Sequence, residues 1–559
     1  MTDAPPLHAR PTLRALAAGM VLSIALCAMN SYLTLSFGII EEGPTIAALF
    51  FFAGFVLSKT RITTSEMVIV STMGSAGGAF GFVSNFFAAK VMTGPAYTLG
   101  EMTAFCVVSS LLGMLAVIPL REMLVVREQL PWPGSKAVAA VISALVEKPD
   151  RRQAIYLLVG TLLCIGYVVA NDDGGYRLVP AEVALPLFGL SAYGAGLALS
   201  PFAIGGSYLM GLRTCVGFLA GGIILLILAP HLPEPSAPHR FVWPGIGFLL
   251  GSGLMMMALN WRTLRDAFRS MTQLRAPGAG DEEEVILGRR GLTVFAVIVL
   301  AVTFLFAVGV VGLGFLLVVV IVVVGGFVQN VIAARAAAVT AFNPVRVMGV
   351  LMQGVCALLG ARSAALNLTG AGFVAGSNSQ ACVLSADFVY GRWFRVPPRW
   401  QFWTQMSTIV PCSLVSAYVF QNLQARTPLR LEGGQIPAPV AKIWATTALI
   451  FEGQRPLPPH AFQILLLAGA VGALYVVLEE KLPFGKWLPS SVGLGIGLVL
   501  PVSIDFSFFV GGFLLWVVLG RWFRVPAVTL TTIAVASIVG EGIGGVIKPL
   551  LDVAGLIPH

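Results

Sequence analysis

The stretch "LTVFAVIVLAVTFLFAVGVVG" (residues 292–312) carries no charge. As a helix rising about 1.5 Å per residue it crosses a hydrocarbon core about 30 Å thick. A second apolar run, "GFLLVVVIVVVGGFV" (314–328), follows almost at once. Working outward, the same signal recurs along the whole chain. Of 559 residues 57% are hydrophobic and only 11% charged, and the mean hydropathy is +0.87. A soluble chain carries about 25% charged residues, so most of this one cannot face water. The sequence predicts an all-α polytopic membrane protein.

Spans are expected near 13–37, 44–58, 66–91, 96–119, 152–170, 180–199, 201–229, 242–260, 292–310 and 313–331. Others are expected near 342–360, 363–390, 400–421, 461–478, 488–519 (a pair) and 526–550, about 14 to 17 crossings in all. The stretches 133–147 and 437–452 are too short to cross comfortably and read as interfacial or re-entrant segments. The charged loop 261–290 divides the chain into an N-terminal membrane half, 1–260, and a C-terminal membrane half, 291–559.

Arg10, Arg14, Lys59, Arg61, Arg121, Arg127, Lys136 and the 261–290 loop place their ends of the spans in the cytoplasm by the positive-inside rule. "EEGP" (41–44), "NDDGGYR" (171–177) and "HLPEPSAPH" (231–239) fit outside. The net charge of +9 reads as topology, not as a nucleic-acid surface. The N-terminus shows no removable signal peptide. The expected location is the cytoplasmic (inner) membrane, multi-pass, among its lipids. The heptapeptide "GRWFRVP" occurs at 391–397 and again at 520–526. Each copy joins two apolar runs, with Trp and Phe at headgroup depth, Arg in the cytoplasm and Pro opening the next helix. Short identity without flanking similarity reads as one interfacial solution used twice.

Chemistry is expected where a span departs from plain hydrocarbon. "STMGSAGGAFGFVSN" (71–85) and "ALNLTGAGFVAGSNSQACVLSAD" (365–387) set small and polar residues at membrane depth. Such stretches either break to line a cavity or let helices pack closely. Ser75, Asn85, Ser377, Asn378 and Gln380, with Asn30 of the first span, are the candidate substrate-binding residues. Arg213 with Tyr208 is a candidate for a carboxylate, since a guanidinium fork binds one bidentately; a structural ion pair is the other reading. Glu541, Asp387 and Asp505 are the candidate proton-coupling residues, because burial disfavours an ionised carboxylate.

Absences narrow the class. No G-x-x-x-x-G-K-[ST] motif provides a nucleotide site. The five histidines lie in loops or tails, and the seven cysteines form no C-x-x-C, so no metal site, cofactor or catalytic residue is expected. An enzyme is not expected.

The chain resembles the oligopeptide transporter family in its prokaryotic branch, related to the yellow-stripe metal-chelate transporters. The resemblance rests on "NSYLTLSFG", "PLREMLVVREQLPWPGSKAVA", "SPFAIGGSYLMGLRTCVGFLAGG", "FNPVRVMGV", "SADFVYGRWFRVPPRWQFWTQ", "IPAPVAKIWATTALIFEG" and "GEGIGGV", in this order. It departs from the family at "PGSKA" (133–137) and "VYG" (389–391). The resemblance implies a secondary active importer, usually proton-coupled, for small peptides or metal chelates. A ferric-siderophore or other chelate importer is the first alternative, and a non-transporting receptor or scaffold the second. Assembly as a homodimer stays open.

Overall fold

The computed structural model describes residues 10–553 and 556, apart from 38–42, 58–61, 129, 131, 148–150, 172–174, 233–234, 239–240, 242, 260–261, 263–284, 341–344, 432–435 and 454–459. Most of the 261–290 loop and parts of the three loops expected outside therefore lie beyond the described residues.

In the first part of the chain the helices are α1 (Leu13–Phe37), α2 (Gly43–Leu57), α3 (Thr64–Gly81), α4 (Ser84–Thr93), α5 (Leu99–Leu120), α6 (Pro133–Glu147), α7 (Arg151–Ala170), α8 (Ser207–Met210), α9 (Leu212–Leu228) and α10 (Trp243–Leu259). There follow α11 (Arg289–Gly309), α12 (Phe315–Val320), α13 (Gln329–Thr340), α14 (Val345–Leu358), α15 (Ala364–Trp393), α16 (Pro398–Arg426), α17 (Pro439–Glu452) and α18 (Ala461–Lys481). The last are α19 (Ser491–Gly497), α20 (Val502–Gly512) and α21 (Ala527–Val553). The protein is a polytopic α-helical bundle, and among the described residues 10 helical segments are long and apolar enough to cross a membrane. The polar helices α15 and α16, of 30 and 29 residues, are also long enough to do so. Most of α15 is buried by protein, so its Asn, Ser and Gln side chains do not meet lipid.

Helix starts follow local chemistry. Thr63 and Thr98 open α3 and α5 with capping boxes, each side chain accepting the N–H of Glu66 or Glu101 while the carboxylate returns to the cap. Glu66 is also gripped by Arg14 of α1, through Nε to Oε1 and Nη2 to Oε2. That bidentate pair fastens α1 to the start of α3.

Three expectations need correction. The 180–199 stretch is not a span: Glu182–Ala184 pairs antiparallel with Gly196–Ala198 around a short 3-10 turn. Pro180 and Pro186 deny the helix its ladder, and Gly189 and Gly194 take φ of 73° and 77°. The 201–229 stretch is interrupted at Gly211, where φ 82° separates α8 from α9. The 365–387 stretch does not break to line a cavity, because α15 runs through it without interruption. Its glycines serve close packing: a Cβ at Gly376 would strike the Ser109 side chain, and one at Gly372 the Phe86 ring, 2.7 Å away. The 71–85 stretch does turn, since Phe82 and Val83 donate to carbonyls only three residues back before α4 begins.

The short segment 437–452 is not interfacial. α17 is buried continuously from Pro439 to Leu449, against α4, α14 and α15. The two heptapeptide copies share one turn, although the first ends an α-helix and the second a π-helix. Arg395 and Arg524 both turn left-handed, with φ 55° and 53°, before Val and Pro lead into α16 and α21. Trp393 and Trp522 are exposed. Arg395→Cys and Arg524→Cys should both react with a membrane-impermeant maleimide in inside-out vesicles and neither in intact cells. Labelling of either in intact cells would reverse the orientation.

Candidate functional site

The small-residue stretches of α3 and α15 meet side by side and antiparallel, closed over by α16. Residues four apart project from one face of a helix, so Thr72 and Ala76 of α3 meet Gln380 and Asp387 of α15 and Gln401 and Gln405 of α16. The Ser75 hydroxyl donates to Asp387 Oδ1 at 3.2 Å. Gln401 Nε2 donates to Thr72 Oγ1 at 3.0 Å and to the Asp387 carbonyl at 2.8 Å. One turn away, Gln405 Nε2 donates to Gln380 Oε1 at 2.6 Å. On another face of α15, Asn330 Nδ2 of α13 donates to the Ser377 hydroxyl at 2.6 Å.

Every one of these side chains is nearly or fully buried. Asn378 is 0% exposed, and neither its Nδ2 nor its Oδ1 has a hydrogen-bond partner. Ser379 Oγ, Gln401 Oε1 and Gln405 Oε1 also lack partners. Buried amides are almost always satisfied, so these open donors and acceptors are unusual; Asn378, two residues from Gln380, projects from the opposite face of α15. The cluster therefore offers amide and hydroxyl groups of both kinds, together with one carboxylate.

The other expected residues lie elsewhere. Asn85 donates to Thr34 Oγ1 at 2.8 Å, where α4 meets α1. Asn30 is fully buried in α1, and Gly81 of α3 packs against it. Tyr208 stacks on Trp516, with ring centroids 4.8 Å apart. Arg213 is near the start of α9, not mid-span, because Gly211 ends the helix before it. Its guanidinium pairs with Glu479 at 2.7 Å and donates to the carbonyls of Leu488 and Gly485. With this side chain 44% exposed, the pair is a tie between α9, α18 and the following turn. In an Arg213→Ala, Glu479→Ala double-mutant cycle of thermal stability we expect a coupling of about 1 kcal/mol.

The three carboxylates differ. Glu541 of α21 accepts the Ser200 hydroxyl at 2.7 Å and the Phe202 N–H at 2.8 Å, holding the start of the segment that leads to α8. Asp387 lies in the polar cluster. Asp505, in the first turn of α20, is 0% exposed, with no partner for either oxygen. A Cβ on Gly222 of α9 would stand 3.1 Å from its Oδ2.

Sequence reading missed Thr72, Asn330, Gln401 and Gln405 as members of the cluster. The Gln-x-x-x-Gln spacing in an otherwise membrane-length helix was the available signal for two of them.

The family model described as OPT oligopeptide transporter protein matches residues 11–551. The chain belongs to the OPT family. It is thus a transporter and not an enzyme, which removes the receptor or scaffold alternative. It is similar to "Putative oligopeptide transporter YGL114W" of Saccharomyces cerevisiae, 23% identical over 100% of this chain and 98% of that one. It is likewise similar to "Probable metal-nicotianamine transporter YSL8" of Arabidopsis thaliana, 23% identical over 100% of this chain and 88% of the other. "Metal-nicotianamine transporter YSL3" of the same plant is 22% identical over 91% and 85%.

Proposed function

We propose that this OPT protein is a proton-coupled importer of small peptides or peptide-like compounds, with about 16 spans in the cytoplasmic membrane. The observation that carries the substrate reading is the buried, unpartnered Asn378 amide of α15, with the Gln380–Gln405 bond and Asp387 on the opposite face of the same helix. A peptide backbone presents N–H and C=O groups in alternation, which complement amide side chains of both polarities. Asp387 supplies the charge that an N-terminal ammonium would meet. Arg213 is engaged with Glu479, so carboxylate recognition falls to polar groups of the cluster.

For coupling we propose Asp505. A carboxylate removed from water without a donor or cation beside it holds its proton, and must lose it when hydrated. Glu541 is the second choice, because its Oε2 already serves Ser200 and Phe202.

A metal-chelate substrate is a second reading, favoured by the relatives named for metal-nicotianamine. Nicotianamine-type chelators present carboxylates and amines that the same amides could bind. A thermal-shift screen against di- to tetrapeptides, glutathione and ferric and other metal chelates, followed by counterflow in proteoliposomes, tests the proposal. Stabilisation and exchange by peptides support it. Response to chelates alone selects the second reading.

A further inference from the structure

The short helices α6 and α17 share more than their length. Each follows a Pro-x-Pro step and carries a lysine as its fourth residue, "PWPGSK" (131–136) and "PAPVAK" (437–442). In both steps the middle residue, Trp132 or Ala438, is left-handed with φ 41°. A non-glycine residue held there is strained and persists only where its surroundings impose it. The imposing contact is reciprocal. Trp132 N–H donates to the Ala338 carbonyl of α13, and Ala438 N–H donates to the Leu35 carbonyl of α1, both at 2.8 Å.

Other contacts obey the same exchange. Thr63 caps α3 as Ser363 caps α15, each accepting the N–H three residues on. α7 packs on α21 as α18 packs on α10. Gly222 of α9 faces Asp505 of α20, and Gly512 of α20 faces Cys215 of α9. α3 and α15, which the exchange would swap, lie antiparallel, with Thr72 beside Tyr390, Ser75 beside Asp387 and Ala76 beside Gln380. These are the marks of an inverted repeat. The two "GRWFRVP" copies both lie in the second half and do not follow this register, so they are no part of it.

The two repeats differ in how deeply the paired lysines lie. Lys136 is exposed, whereas Lys442 is 2% exposed within a helix buried from Pro439 to Leu449. We infer that α6 and α17 are the two gates of the transport path, hinged at Trp132 and Ala438, and that this structure has α17 shut and α6 open. In the opposite state the repeats exchange conformations, so Lys136 is covered and Lys442 reached from the other side. With the positive-inside orientation, the open gate faces the cytoplasm. The inference rests on the transporter family and not on which residues hold the substrate.

Cysteine accessibility tests it, with the full-length protein in oriented vesicles and a membrane-impermeant maleimide. Lys136→Cys and Thr446→Cys report on α6 and α17; Thr446 is 1% exposed, its hydroxyl lacks a partner, and cysteine is close to it in size. With the hinges intact, Lys136→Cys should label quickly from one face. Thr446→Cys should label slowly, and only from the opposite face. Ala438→Pro removes the N–H that Leu35 holds and cannot adopt φ 41°. It should speed labelling at Thr446→Cys at least tenfold and slow Lys136→Cys by a similar factor. Labelling of both positions from one face, none at Thr446→Cys after exhaustive reaction, or faster Thr446→Cys with unchanged Lys136→Cys would overturn the inference. If Ala438→Pro does not fold, the face of labelling in the intact-hinge proteins decides.

Discussion

Asp505→Asn should abolish uphill uptake while leaving exchange intact. In proteoliposomes with an imposed proton gradient, accumulation of the peptide found by thermal shift should fall to the equilibrium level, at least tenfold below the unmodified protein. Counterflow of the same peptide should continue at a comparable rate. Asn occupies the space of a protonated Asp and cannot release a proton, so a cycle locked in that form exchanges but does not concentrate. The fold should tolerate the change, because no donor or cation is bonded to either oxygen and none is orphaned by the substitution. The melting temperature of Asp505→Asn should therefore stay within a few degrees of the parent. Glu541→Gln gives the contrast. Its amide oxygen can still accept from the Ser200 hydroxyl and the Phe202 N–H, but both bonds lose the carboxylate's charge, so it should melt lower by about 1 kcal/mol for each bond, about 2 kcal/mol in all. Gradient-driven accumulation surviving in Asp505→Asn would exclude Asp505, and the same assay on Glu541→Gln and Asp387→Asn would locate the carrier.

How much of this could be read from the sequence depends on the kind of force involved. Span 292–312 was legible because hydrocarbon length alone decides it, and α11 covers nearly the same residues. The 180–199 stretch is apolar enough in composition to suggest a span, but its prolines and left-handed glycines outvoted composition. Composition could not tell a cavity from close packing in 365–387, since both call for Gly, Ala and Ser. The outcome was set by partners distant in sequence, such as Ser109 against Gly376. Arg213 shows the same limit. An arginine inside an apolar run signals function only if the run is one helix, and Gly211 divides it. Its partner Glu479 lies far away in sequence, beyond the reach of spacing. Asn378, Gln380, Ser75 and Asp387 were legible as polar residues that lipid would not accept. That Gln405 and Asn330 complete their surroundings was not, because those bonds join helices whose order in space no local pattern fixes.

The sharpest separation of function from folding should come from Asn378. Its side chain is fully buried in α15 with both amide ends unpartnered, so the empty protein bears the desolvation of a donor and an acceptor with nothing in return. Leucine has nearly the same shape and no polar atoms. Asn378→Leu should raise the stability of the empty protein by about 2 kcal/mol, seen as a higher melting temperature in detergent. The same change should remove substrate-induced stabilisation and cut apparent affinity by about tenfold or more, because two hydrogen bonds available only to a guest are gone. Gln405→Leu is the control for plain burial. It strips Gln380 Oε1 of its 2.6 Å partner, so it should lower stability by about 1–3 kcal/mol. A residue that serves packing alone cannot combine higher stability with lost binding. If Asn378→Leu melts lower, or melts higher yet binds and transports as before, Asn378 contributes no contact to the substrate, and the site must be sought among Ser75, Asp387 and Asn330.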